Sequence, residues 1–546
     1  MTSGVIRSTG SADDPDGVND RLRRAAPLLA LIGVGLAFRV VIVTVLAPNA
    51  GFASDLQLFA QWARTLASEG PGSIYGTVPS VDYPPGYLWV LWLLGVVANG
   101  LASVTGGDGG AILAGLLKLP AITADLALAL LLGWAGTRWF GHRVGLFAAA
   151  LWLFVPVSWY DSALWGQVDS VGTFALVASL VLLVERRHAP ALVLAVVAAL
   201  IKPQLAIGLG VVLPVLVRRE LLVERRPTRF LGEVAAAVTI GGALVVPFDL
   251  SVMAAPSLAA VPVLGDLAGL VGLLARAGGE FSVLTANAFN AWALVGDPSL
   301  ASSIGGGGAS WTADSLVVAG GLPAVTVGAV LLVGIGVLVA LGLLRRDGVI
   351  PILLGGSILA LAFFAVPTRV HERYLVPFFG ISALLAARSA IWAASYIALG
   401  ILNAINLHAV LAGTLSIGRV NGAAGSAGAL AGPRGADASG PPRGGFGTPG
   451  GPGLPGRDQI GAAIHSIQLP FADLARSEAV VTLIAVAHTL ALIGLLVAWA
   501  VTILRPEPRP ATAVSPQSGS AALQPAWPTA SRNASAGAAP RSSRTA

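Results

Sequence analysis

The chain has no cysteine, which excludes a disulfide, a thiolate metal site and a thiol nucleophile. Charge is scarce as well: Asp, Glu, Lys and Arg make up 11% of 546 residues, against 55% hydrophobic ones. A soluble domain carries about a quarter charged residues, and the mean hydropathy of +0.80 points the same way, to an integral membrane protein. No glycine-rich Rossmann fingerprint or P-loop is present, and little chain remains outside the apolar stretches to build such a domain. The polar, acidic start from Met1 to Asp20 lacks the basic-then-apolar order of a signal peptide, so the first apolar stretch is expected to be retained. Lysine is nearly missing too, with Lys118 and Lys202 alone against arginine everywhere else.

What is present is a series of apolar stretches, mostly about twenty residues long and rich in Gly, Ala, Val and Leu, as spanning helices require. Barrel strands would be shorter and alternating. The basic pI near 10.1 comes from arginines beside these stretches, so no nucleic-acid partner is expected. Arg21, Arg23 and Arg24 precede the first span, Ala26 to Ala47, and put the amino terminus in the cytoplasm. Reading Tyr87 to Val104 as a helix laid along the outer leaflet keeps Arg138 and Arg143 inside, and most later basic clusters follow. The result is an all-α polytopic bundle of about twelve spans in the cell membrane, with both termini cytoplasmic. Residues 1–25 and 505–546 read as disordered cytoplasmic ends, 26–411 as the main module with an outer loop over 48–110, 412–477 as a glycine-rich outer loop, and 478–504 as the last span. Leu264 to Ala275 reads as an interfacial helix.

The chain is organised around the stretch from Gly51 to Trp89. Ser54 and Gln57 have the spacing of a capping box, which predicts a helix from Asp55. On it Asp55, Phe59, Trp62 and Leu66 share one face, an acid heading an apolar stripe suited to the bilayer surface. Asp82-Tyr83-Pro84-Pro85 then forms a rigid aromatic corner. Each acid also has a plain structural reading, Asp55 as a complement to the helix dipole and Asp82 as a turn starter.

Other polar groups collect in the same outer connections: Asp161, Gln167, Asp169, Lys202, Gln204, Asn287, Asn290, and Arg369-Val-His371-Glu372-Arg373. Charge at a membrane is costly, so such residues are candidates for function. Lys202, Arg369 and Arg373 break the inside preference of basic residues, and together with His371 they form a donor set suited to phosphate. Lys118 reads instead as the partner of Asp125 on its own helix, and Arg39 as an anion contact or a snorkelling side chain. Carboxylates facing cations suit group transfer: Asp55, with Asp82 assisting, takes a proton from an attacking hydroxyl while the cations stabilise a departing phosphate. Trp62, Tyr83, Trp165 and Trp292 offer faces for a sugar ring, and Gln167, Asp169, Gln204, Asn287, Asn290 and Glu372 complete the pocket. With no nucleotide-binding domain, the sugar donor is expected to arrive in the membrane.

These residues resemble the GT-C polytopic glycosyltransferases that use polyprenyl-phosphate sugars. The carriers are Asp55 with Phe59 and Trp62, the Asp82-Tyr83-Pro84-Pro85 corner, Trp165-Gly-Gln167-Val-Asp169, Asn287-Ala-Phe-Asn290-Ala-Trp292 and His371-Glu372-Arg373-Tyr374. As a set they are similar to bacterial relatives of the PIG-V type mannosyltransferase of GPI assembly. The Asp-Tyr-Pro-Pro and Val-His-Glu elements are also similar to the dolichyl-phosphate-glucose-dependent glucosyltransferases, which carry Lys where this chain has Arg373. The resemblance implies inverting transfer on the extracytoplasmic face, Asp55 as general base, no obligatory metal or cofactor, and the His371–Arg373 segment near the donor phosphate. A hexose, mannose ahead of glucose, would pass from a polyprenyl phosphate to a hydroxyl of a lipid-linked, glycan or protein acceptor. The rival reading is a transporter or flippase for a lipid-linked sugar, although no inverted repeat is visible.

Overall fold

The structure, a computed structural model, describes residues 15–48, 50–295, 312–417 and 470–505. The amino-terminal 14 residues, most of the glycine-rich stretch and the tail beyond Arg505 lie outside the described residues, and so do the expectations of disorder made for them. Among the described residues the regular structure is helical, and β-pairing is limited to isolated bridges.

The main helices are α1 (Pro15–Val41), α2 (Ala53–Glu69), α3 (Pro85–Thr105), α4 (Leu119–Phe140), α5 (His142–Phe154), α6 (Asp169–Val184) and α7 (His188–Ile201). They continue with α8 (Pro227–Val245), α9 (Leu264–Glu280), α10 (Ala324–Arg345), α11 (Val349–Ala365), α12 (Val376–Ala386), α13 (Ala390–Ile417) and α14 (Glu478–Leu504). Among the described residues seven helices are long and apolar enough to cross a membrane, eight if the pair bent by 48° at Val155 is one span. Length alone therefore falls short of about twelve spans, because α6, α7 and α11 have 16, 14 and 17 residues, at or below the usual minimum for spanning.

Proline and glycine place most breaks. Pro203 follows Lys202 and ends α7, since proline offers no N–H to continue the ladder. Gly141 at φ +99 reverses the chain between α4 and α5, where Gly136 and Gly145 let the two backbones touch.

Contacts between α1 and α4 orient the whole molecule. Leu28 lies against Gly133, Arg39 pairs with Asp125, and Lys118 donates to the carbonyl of Ala50, so the helices run antiparallel. The chain between Ala50 and Lys118 thus leaves and returns at the same end of the bundle. Within it α3, though apolar enough to cross, runs beside α2, with Tyr87 against Phe59 and Gly95 against the backbone of Ala63.

The apolar stripe of α2 is not laid on a lipid surface. Phe59, Trp62 and Leu66 are buried beneath α3 and the Tyr83 corner, because two adjacent apolar helices bury more area against each other than either can alone. A Cβ at Gly95 would stand 2.2 Å from the Ala63 carbonyl oxygen, whereas nothing lies within 4 Å of one at Gly100. Gly95→Val is therefore expected to cost about 1–3 kcal/mol of stability while Gly100→Val changes little. Thermal unfolding of the two variants decides it, and equal melting would refute this packing.

The buried polar pairs also differ from the sequence expectation. Asp125 does not bind Lys118. It accepts from Arg39 Nε at 2.8 Å, Ser162 at 2.6 Å and Ser170 at 2.7 Å, all inside the bundle. Lys118 precedes α4 and donates to the backbone carbonyls of Ala50, Ala163 (2.7 Å) and Leu164 (3.1 Å). Arg39 is fully buried, so it neither snorkels nor meets a soluble anion.

Candidate active site

Asp55 stands in the first turn of α2, partly buried. The expected capping box is not made: the helix begins two residues early, Phe52 is its N-cap residue, and no side chain caps it. What holds this end is Trp165. The Phe52 ring stacks on the indole at 4.9 Å, and the Phe52 N–H donates to the Trp165 carbonyl at 2.9 Å. The indole N–H in turn donates to Asp55 Oδ2 at 3.2 Å, and Gln167 Nε2 donates to the same oxygen. Among the described residues no donor reaches Oδ1, so one side of the carboxylate stays open to accept a proton.

Gln167 works from both ends. Its amide N–H serves Asp55, and its carbonyl accepts from Lys202 Nζ at 3.3 Å. Lys202 also donates to both oxygens of Asp169, at 2.9 and 2.8 Å, and lies 5.6 Å from the centre of the Tyr83 ring. The break at Pro203 makes this reach feasible by leaving Lys202 extended at the end of α7.

Arg373 comes from the turn after α11. Its Nη1 donates to Glu372 at 2.9 Å, its guanidinium lies 6.0 Å from the Trp165 ring, and Asp55 and Glu372 are the acids whose charge it feels most. Burial raises the Glu372 carboxyl while Arg373 beside it pulls it down. Arg373 Nε and Glu372 Oε2 are buried without a hydrogen-bond partner, as are Asn287 Oδ1, on the residue bridged to His371, and both oxygens of Asp161, which feels the Arg373 charge; Gln204 Nε2 is buried and unpartnered as well. Burying an unsatisfied polar atom costs about 1–3 kcal/mol, so the unpartnered atoms of Arg373 and Glu372 suit a polar ligand.

Asp82 is the second acid. Burial, with Glu280 and Asp55 adding like charge, pushes its carboxyl up to about 6. Glu280 arrives on α9, whose Arg276 also donates to the Val81 carbonyl at 2.7 Å. Because the folded protein holds this proton more tightly than the unfolded chain, whose aspartate titrates near 3.8, the stability present below that pH is lost as pH rises through about 6. Asp82→Asn is expected to melt higher than wild type at about pH 7.5, with the gap closing by about pH 4.5. An equal gap at both pH values would refute the shift.

The other candidates divide. His371 lies here between Phe281 and Tyr374, but burial, Arg373 and Lys202 hold its ring well below the usual histidine range, so it is neutral. Asn287, at φ +71, bridges to the His371 backbone. Arg369 turns away, with Nε on Asp314 Oδ2 at 2.6 Å and Nη1 on the Gly278 carbonyl at 2.6 Å. Asn290 and Trp292 are tied to the end of α11, through the Phe364 carbonyl at 3.0 Å and the Val366 carbonyl at 2.6 Å. Trp62 packs behind Tyr83 and Phe59.

Of three further participants, Asp161 was legible only as a polar candidate without a role, Trp165 only as a ring face, and Glu280 not at all. Asp161 sits in the turn before Trp165 and feels Asp169, Lys202 and Arg373; an acid in an apolar run was its signal. Trp165 was legible as an aromatic, not as a donor to Asp55. Glu280, 225 positions along the chain from Asp55, carried no signal. The site therefore presents one carboxylate with an open oxygen, a second acid whose carboxyl is raised to about 6, and two cations, Lys202 linked to Asp55 through Gln167 and Arg373 felt by both acids. No protein-family model matches the sequence, and no curated protein matches it.

Proposed function

We propose that the chain is a membrane glycosyltransferase that moves a hexose, mannose ahead of glucose, from a polyprenyl phosphate to a hydroxyl acceptor. The observation that carries this reading is Asp55, held at Oδ2 by Trp165 and Gln167 with Oδ1 open, while Gln167 links it to Lys202 and Arg373 stands across from it. The acceptor oxygen attacks the anomeric carbon and its proton passes to Asp55 Oδ1. The bond from that carbon to the phosphate oxygen breaks, and the electron pair leaves on the phosphate. Lys202 and Arg373 stabilise that charge in a site shielded from water. Attack opposite the leaving group inverts the sugar. Neutral His371 would hydrogen-bond the phosphate without adding charge.

The proposed topology has about twelve crossings, with the short helices α6, α7 and α12 crossing as parts of the packed bundle. Arg138 and Glu185 meet at one end of α6, and Lys202 with Asp169 at the other, which supports such a passage. Both termini would be cytoplasmic and α2 and α3 would lie along the outer boundary, by the placement of arginines. The test is transfer by the purified protein in lipid, given radiolabelled polyprenyl-phosphate mannose or glucose and a membrane glycolipid extract. Labelled product is expected. No product, with labelled donor moved across sealed vesicles, would replace this reading with the transporter.

A further inference from the structure

At the end of the bundle away from Asp55, a cleft of about 600 Å³ opens between the turn before α7 and the first turns of α8. Arg186, Arg187 and Arg229 line its mouth, and His188 and Glu233 line its floor, with Glu220 buried beneath. The side chains come from three elements, and the two carboxylates lie close enough for Arg229 Nε to approach both, at 3.2 Å to Glu233 and 3.6 Å to Glu220. Each carboxylate keeps one buried oxygen, Oε2, with no hydrogen-bond partner. The cleft thus offers cations at the rim and unused acceptors below.

We infer that this cleft binds the headgroup of a membrane phospholipid carrying a primary ammonium beside its phosphodiester, with the phosphate on Arg186, Arg187 and Arg229 and the ammonium on Glu233 and Glu220. Arginine forks suit phosphate oxygens, and an ammonium brings the several N–H donors that two orphaned carboxylate oxygens require. Arg229, half-exposed, now covers the acids; the ammonium takes its place and the guanidinium turns to the phosphate. A net-neutral ligand also preserves the local charge balance.

A divalent metal fits less well, although ligand atoms of His188, Glu220 and Glu233 lie within 4.8 Å of one another. Arg219 Nη1 donates to His188 Nε2 at 3.3 Å, so the ring proton sits on Nδ1, 2.6 Å from Glu220 Oε1. Neither ring nitrogen then has a lone pair free for a metal. The position favours a lipid over a soluble phosphate ester. The cleft lies in the first two turns of Pro227–Phe248, a helix long and apolar enough to span, and Leu222, Val223 and Leu231 beside it are 58, 63 and 63% exposed, a surface for acyl chains.

Native mass spectrometry of the full-length protein released from mixed micelles tests this. Phosphatidylethanolamine, phosphatidylcholine and phosphatidylglycerol are supplied in equal amounts. One phosphatidylethanolamine should be retained about tenfold over phosphatidylcholine, whose quaternary nitrogen donates no hydrogen bond. Glu233→Gln should remove that preference and leave phosphatidylglycerol retention unchanged. Arg187→Gln, at an exposed position, should weaken retention of all three lipids. Equal retention of phosphatidylethanolamine and phosphatidylcholine, or phosphatidylethanolamine retention that Arg187→Gln leaves unchanged, overturns the inference. Displacement by soluble glycerophosphoethanolamine at equal concentration overturns the lipid as ligand, and stoichiometric zinc in the purified protein overturns the ammonium.

Discussion

Asp55→Asn is expected to lower sugar transfer by about 10²- to 10⁴-fold, the usual contribution of a positioned general base, while leaving donor binding near wild type. The substitution preserves shape. The asparagine oxygen can still accept from Trp165 and Gln167 where Oδ2 does now, which turns the amide nitrogen toward the open side. That side then carries hydrogens and no longer takes one. Binding should persist because Lys202 and Arg373, the proposed phosphate contacts, keep their partners Asp169 and Glu372. Single-turnover transfer beside equilibrium binding of labelled donor separates the two quantities. A variant that transfers at the wild-type rate would remove Asp55 from the chemistry and leave Asp82 and Asp161 as the acids at the site that do not pair with Lys202 or Arg373.

The second large effect concerns stability. Asp125→Ala should cost about 3–5 kcal/mol, because it strands the fully buried Arg39 guanidinium without its carboxylate. Ser170 loses its acceptor at the same time, and Ser162 keeps only the Ser158 carbonyl. The double replacement Arg39→Met with Asp125→Leu should recover most of the loss, since an apolar pair leaves no uncompensated charge. Lys118→Met should be additive with Asp125→Ala to within about 0.5 kcal/mol, as its bonds go to backbone carbonyls. Unfolding in detergent measures all four variants. Coupling of more than about 1 kcal/mol between Lys118 and Asp125 would restore the pairing within one helix and contradict the structure.

Lys118 and Asp125 show how sequence reading fails here. Both lie in one short stretch, so local spacing proposes them to each other, whereas Arg39 lies 86 positions from Asp125 and has no local claim on it. Antiparallel packing of α1 on α4 creates the pair. Asp55 shows the same effect from the other side. An acid in the first turn of a helix, heading an apolar stripe, is legible from spacing, but its two donors lie 110 and 112 positions away. The same holds for Arg369, whose neighbours His371 and Arg373 suggest one cationic cluster. Its left-handed backbone, φ +66, turns it to Asp314 instead.

The sequence by itself determined the class of protein, because a chain with this little charge must bury its backbone in helices within lipid. It also determined the ends of some helices closely, Pro85–Thr105 and Glu478–Leu504 among them, since proline, glycine and apolar run length act over a few residues. It further narrowed the functional candidates to acids, amides and cations that are costly near a membrane. Only the tertiary structure decided which of them meet. It put Gln167 between Asp55 and Lys202, brought Glu280 toward Asp82, and buried the α2 stripe under α3. The reason is physical: charge pairing and desolvation depend on distance in space, and helix packing sets that distance between residues a hundred or more positions apart.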